Sequence, residues 1–80
     1  MKIQLLAFGI VQDIINSTSL EMELQEIITV KQFKRLLSDK YPKIKNIQSF
    51  AVAVNEEYAN DELLIKANDV VALIPPDSGG

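Results

Sequence analysis

The chain opens on KIQLLAF, residues 2–8, where polar and apolar side chains separate by alternation. In an extended strand Ile3, Leu5 and Ala7 point to one side, and Lys2, Gln4, Leu6 and Phe8 to the other. The second set begins polar and ends apolar, so that face is wet at one end and covered or sticky at the other. Gly9 breaks the strand. IVQDIINS, residues 10–17, fits a short helical turn with Val11, Ile14 and Ile15 on one face. SLEMELQE, residues 19–26, alternates again, setting Leu20, Met22 and Leu24 against Glu21, Glu23 and Gln25. It predicts a half-buried strand paired antiparallel with the first.

The rhythm then changes to that of a helix. Thr29 as N-cap and Gln32 three residues on form a capping box, which satisfies amide groups that a helix end otherwise orphans. Ile28 and Phe33 stand where a hydrophobic staple places them. Val30, Phe33, Leu36, Leu37 and Tyr41 recur at helical spacing as a core stripe, with Lys31, Lys34, Arg35 and Ser38 opposite. Pro42 stops the helix at about Tyr41. Residues 43–49 read as an irregular connection tacked to the core by Ile44 and Ile47. FAVAV, residues 50–54, is apolar throughout and suits a central strand; residues 55–61 turn the chain, with a brief strand around Tyr58. Leu63, Leu64 and Ile65 are expected to pack as a small cluster. KAND, residues 66–69, is a turn in which Asn68 and Asp69 tolerate left-handed backbone. VVALI, residues 70–74, is the last strand.

This order predicts an α+β fold in which a mixed sheet curls over one main helix. Its first and last strands run parallel at the centre, joined by a long crossover: the β-grasp, or ubiquitin-like, roll. A ferredoxin-like arrangement would need a second long helix, and no segment supplies one. The expected organisation is a β-grasp domain over 1–74 and an extended tail over 75–80.

Composition narrows the chemistry. Eighty residues make one domain, and 48% apolar residues are ample for a core. There is no cysteine, so disulfides, thiolate metal sites and a cysteine nucleophile are excluded. Histidine, the commonest general base and nitrogen ligand, is also absent. No metal site is expected. A net charge of −3 argues against nucleic acid as a partner, which needs clustered cations. Lys31, Lys34, Arg35, Lys40, Lys43 and Lys45 do gather, as the solvated face of the helix and its exit. No stretch approaches the roughly 20 apolar residues that cross a bilayer, and the opening run has no small-residue cleavage site. No membrane association is expected, and the location implied is cytoplasmic.

What remains is the end, VALIPPDSGG. Pro75 and Pro76 lack amide hydrogens, cannot continue a ladder and bias the chain to extended form. Six residues beyond Ile74 reach roughly 20 Å at about 3.3 Å each. Gly79 and Gly80 add no side chains, so this end is either a frayed terminus or a slim arm presenting its carboxylate to a distant site. Once joined to AMP, that carboxylate becomes an acyl adenylate able to pass to a thiol, an amine or sulfide.

The stretch AVNEEYANDELLIKANDVVALIPPDSGG, residues 53–80, with its AVN, its NDVVALIPP and its final GG, resembles the MoaD family, as does the opening LLAFGIVQDI. These are ubiquitin-like sulfur carriers that form the small subunit of molybdopterin synthase. The related thiazole sulfur carriers share the Gly-Gly but usually lack the two prolines and are shorter.

The resemblance implies that an E1-like, MoeB-like adenylyltransferase uses ATP to adenylate the Gly80 carboxylate, which becomes a thiocarboxylate. It implies docking on a MoaE-like large subunit, with Pro75, Pro76, Asp77, Ser78 and Gly79 threaded into that subunit's active site. There sulfur would pass to cyclic pyranopterin monophosphate, two rounds building the dithiolene of molybdopterin. The carrier would bind no cofactor and be no enzyme by itself. Two letters depart from the family's habit. Asp77 stands where a small apolar residue is common, and Gln12 where arginine is frequent. Other acceptors, in thiazole synthesis, tRNA thiolation or protein conjugation, would need the same free carboxylate; an inert interaction domain would not.

For docking, an apolar patch ringed by charge is expected on the sheet. Phe8 and Ile74 end strands predicted to be neighbours, and Tyr58 lies across from them. All three are either core or the partner-binding patch.

Overall fold

The computed structural model describes residues 1–47 and 49–76. Two strands predicted to meet do meet: β1 (Lys2–Ala7) and β7 (Val70–Ile74) pair in parallel, Leu5 opposite Val71 and Leu6 opposite Ala72. They form the middle of a five-stranded sheet ordered β2-β1-β7-β4-β5, completed by β2 (Ser19–Glu23), β4 (Ala51–Val54) and β5 (Glu57–Tyr58). The β1–β2, β4–β7 and β4–β5 pairs are antiparallel. A parallel pair cannot be closed by a hairpin, so the rest of the chain becomes one long crossover. It holds α1 (Ile10–Ile15), α2 (Val30–Lys40), a 3₁₀ helix (Pro42–Asn46) and a second, two-stranded sheet made of β3 (Ile28–Thr29) and β6 (Leu64–Ile65).

Helix α2 begins where the capping box places it. The Gln32 amide donates to Thr29 Oγ1 at 3.1 Å, and the Thr29 amide donates back to Gln32 Oε1 at 2.8 Å. Its buried stripe is Val30, Phe33 and Leu37, which join Ile3, Leu5, Val71 and Leu73 in one core cluster. The helix ends at Tyr41, and Pro42, unable to donate an amide hydrogen, opens the 3₁₀ helix that drives Ile44 inward. Residues 42–46 are therefore more ordered than an irregular connection.

Two expectations about packing are corrected. Leu36 lies at the edge of the helical stripe and is exposed, and Tyr41 is only half-buried, flanked by the Lys40 ammonium. The Leu63–Ile65 cluster does not form as such. β6 pairs with β3, Leu64 opposite Thr29 and Ile65 opposite Ile28, and alternation sends Ile65 inward while Leu64 stays out. Leu63 is exposed as well. Asn68 takes the left-handed backbone expected of its turn.

Candidate functional site

The sheet has a second face, turned away from α2, and the same strands build it. Alternation on β1 and β7 that buries Ile3, Leu5, Val71 and Leu73 must turn Leu6, Ala72 and Ile74 outward. Registers then align Leu6, Ala72, Ala53 and Tyr58 across four strands. The two central positions are alanines flanked by large side chains, so the surface dips. The result is a concavity of about 270 Å³ lined by Leu6, Phe8 and Tyr58 over a floor of Ala53 and Ala72, with Val70, Ile74 and Glu56 completing it. Ala53 is 7% exposed yet lies outside the core cluster, because it is these walls that cover it.

Phe8, Tyr58 and Ile74 thus come together on one surface. Phe8 is 46% and Tyr58 77% exposed, and Ile74 is half-buried, so they are not core. Towards β2 the same face turns polar: Lys2 Nζ lies 3.4 Å from Glu21, and the Gln4 amide donates to the Ser19 hydroxyl. At its far corner Glu23 accepts a hydrogen bond from the Met1 amino group, which holds its carboxyl below the usual glutamate range. The wet and sticky ends read from KIQLLAF are both present.

The wall carrying Tyr58 is set by the turn between β4 and β5. Asn55 and Glu56 both have positive φ, 51° and 73°, which a two-residue hairpin turn of this twist demands. Asn55 is anchored in it. Its amide and carbonyl exchange hydrogen bonds with Asp69 Oδ1 and the Val70 amide, both at 2.9 Å, and its backbone N–H donates to the Val70 carbonyl at 2.8 Å. The turn is therefore tied to the start of β7.

At the other end of β7 the tail begins. Ile74 lines the groove, and Pro75, next in sequence, sits against Gly9. Gly9 has φ +56°, and a Cβ there would lie 2.9 Å from Pro75 Cγ. Only glycine allows both the backbone conformation and the approach. Gln12, where arginine would fit the MoaD pattern, donates from Nε2 to the Ala7 carbonyl at 3.1 Å and so serves the end of β1. Pro76 is exposed; Asp77, Ser78, Gly79 and Gly80 lie outside the described residues.

Elsewhere the body offers little to chemistry. Among the described residues no polar or charged side chain is buried, and no group of carboxylates could hold a metal ion. Among the described residues no helix is long and apolar enough to cross a membrane. A wider, nearly flat depression on the outer side of α2 carries Arg35 and Lys40 beside Asp39 and Leu36, the mixed charge of a solvated helix face. Lys34, on the flank of that helix, is paired with Asp61 at 2.9 Å.

Sequence reasoning did not single out Ala53, Ala72, Glu56 or Gly9. The signal for the two alanines was the alternation itself, which puts small residues at outward positions of adjacent strands. Glu56 carried no local signal.

The ThiS family model matches residues 5–80. The molybdopterin synthase sulfur carrier subunit of Arabidopsis thaliana is 30% identical over the whole of this chain and 84% of its own length. The protein of that name in Dictyostelium discoideum is 33% identical over 96% of this chain and 94% of its own. Among solved structures, small archaeal modifier protein 1 of Haloferax volcanii superposes with a TM-score of 0.82, at 21% identity and full coverage of both chains. A chain from the complex of subunits 1 and 2 of the Helicobacter pylori molybdopterin-converting factor matches with a TM-score of 0.68, at 23% identity over both chains entire. These likenesses show the β-grasp fold.

Proposed function

The chain belongs to the ThiS family, its curated relatives being molybdopterin synthase sulfur carrier subunits, and on that premise we propose that it is itself such a carrier. The observation that carries the reading is the continuity of groove and tail. β7 lines the groove with Ile74 and passes at once into Pro75, seated on Gly9, and Pro76. A large subunit that covers the groove is thereby placed to receive the residues that follow.

The chemistry then belongs to the Gly80 carboxylate. In an E1-like, MoeB-like activating enzyme it attacks the α-phosphorus of ATP, releasing pyrophosphate and forming an acyl adenylate. A sulfur nucleophile displaces AMP and leaves a thiocarboxylate. In the large subunit, MoaE-like, that sulfur passes to cyclic pyranopterin monophosphate. The body needs no acid or base of its own for this chemistry, which accords with a chain lacking histidine and cysteine. Its groove, apolar over an alanine floor, suits an anchor side chain of a protein.

Intact-mass measurement after incubation with the activating enzyme, ATP and a sulfur donor tests the carrier reading. A gain equal to exchange of one oxygen for one sulfur, lost when Gly80 is removed, is the expected result. An unchanged mass with a competent activating enzyme sinks it. Adding the large subunit and pyranopterin substrate then separates molybdopterin synthesis from the other sulfur acceptors.

A further inference from the structure

Among the described residues the groove has one charged lining residue, Glu56, and it is held there in a backbone conformation that glutamate does not favour. At φ 73° a side chain with a Cβ is uncommon; the second position of such a turn is ordinarily glycine. Asn55 suits its own left-handed position and is fastened by Asp69 and Val70, so the turn is fixed from outside and Glu56 must accept the geometry it is given. Among the described residues, no hydrogen bond or ion pair of the Glu56 carboxylate offsets this. A non-glycine residue kept at a strained position beside an apolar concavity points to a use for its side chain.

The alternation of β5 isolates that charge further. Tyr58, opposite Ala53, faces the groove, whereas Glu57, opposite Val54, belongs to the other side of the hairpin. Among the described residues the groove therefore presents an apolar floor with a single negative charge at one wall, and no lysine or arginine lines it.

We propose that Glu56 is a specificity-determining residue for docking, and that the partner covering the groove brings an apolar anchor for the alanine floor with a lysine or arginine beside it to meet the Glu56 carboxylate. This rests on the groove being the face that meets the large subunit. A cation approaching Glu56 gains a partner at the rim, while a partner with a carboxylate there is repelled, so the charge selects against wrong partners more than it adds raw affinity.

The test is calorimetric titration of the full chain with its cognate large subunit at low and at physiological salt, using Glu56→Gln, Glu56→Lys, Glu56→Gly and Phe8→Asp, each with a thermal melt. Glu56→Gln is expected to weaken binding roughly 3- to 10-fold at low salt and to flatten its salt dependence, as loss of one rim charge should. Glu56→Lys weakens it further. Glu56→Gly is expected to bind like Glu56→Gln while melting at the wild-type temperature or above, because glycine accepts the turn. If Phe8→Asp abolishes binding but Glu56→Gln and Glu56→Lys bind as wild type at both salts, the proposal fails and the groove reading stands. If Phe8→Asp binds as wild type, the groove reading fails, and the proposal with it. If Glu56→Gly melts lower, glutamate is not strained at this position, and the backbone argument is overturned.

Discussion

Leu5 and Leu6 are neighbours on one strand, yet they belong to two different surfaces. Leu5 is wholly buried beneath α2 with Ile3, Val71 and Leu73. Leu6 looks the other way, into a groove floored by alanines and edged by exposed aromatic rings. The inner face is completed within the chain. The outer face keeps large apolar side chains at the surface, where they contribute little to folding and, in the function proposed, meet a second molecule. One sheet therefore divides its labour by the parity of residue number.

The largest effect should come from attacking the finished face. Phe33→Ala removes a fully buried ring and is expected to cost about 3–5 kcal/mol. A domain of 80 residues holds roughly 4–12 kcal/mol at about 0.05–0.15 kcal/mol per residue, so chemical denaturation should find at least about a quarter of the stability gone in this variant. Phe8→Asp makes the matching attack on the open face. Its unfolding free energy should change by no more than about 0.5 kcal/mol, as for surface positions, while affinity for the large subunit falls at least about 30-fold, as for a central anchor. Equal loss of stability in both variants would erase the distinction between the faces.

Gly9→Ala probes the seam between them. The backbone at φ 56° and ψ −134° lies outside the left-handed helical region, so alanine there should cost on the order of 1–3 kcal/mol, and the new Cβ must push Pro75 aside. Sulfur transfer is expected to fall even at temperatures where the variant is fully folded, which a coupled melt and turnover assay would show. The smallest effect concerns the polar corner of the outer face. The Met1 amine holds the Glu23 carboxyl below its ordinary range, so this contact stabilises the fold above the unfolded glutamate value, near pH 4.3, and is lost as pH falls through the lower folded value. Glu23→Gln should remove that acid-side dependence, lowering stability slightly at neutral pH and leaving it unchanged at the acid end, in denaturation series taken across pH.

Much of this was legible in the letters because it depended on local rules. The alternation of KIQLLAF and VVALI, and the Thr29–Gln32 box, follow from geometry within a few residues, and together they imply the parallel centre and its single covering helix. Even the mixed character of the outer face could be read from Lys2 to Phe8. What escaped required partners distant in sequence. Leu36 obeys the helical spacing but falls beyond the reach of the sheet. β3 and β6 are two residues each, too short to show a period, and only their pairing decides that Ile65 goes in while Leu64 stays out. The groove needs Ala72 and Ala53 brought side by side, and the place of Glu56 depends on Asn55 finding Asp69 and Val70. The reactive role given to Gly80 comes from the pattern of the tail and the family, and lies outside the described residues.

Ile74 lines the groove and Pro75 follows it directly, so grip and delivery are separated by a single peptide bond. For a partner already holding the groove, meeting the residues beyond Pro76 is an intramolecular event. Short tethers put such encounters at an effective concentration of about millimolar. The groove itself can then be weak and the engaged complex still persist. A weak groove also lets go once the tail is withdrawn, which is what a shuttle needs if it is to return to be reloaded.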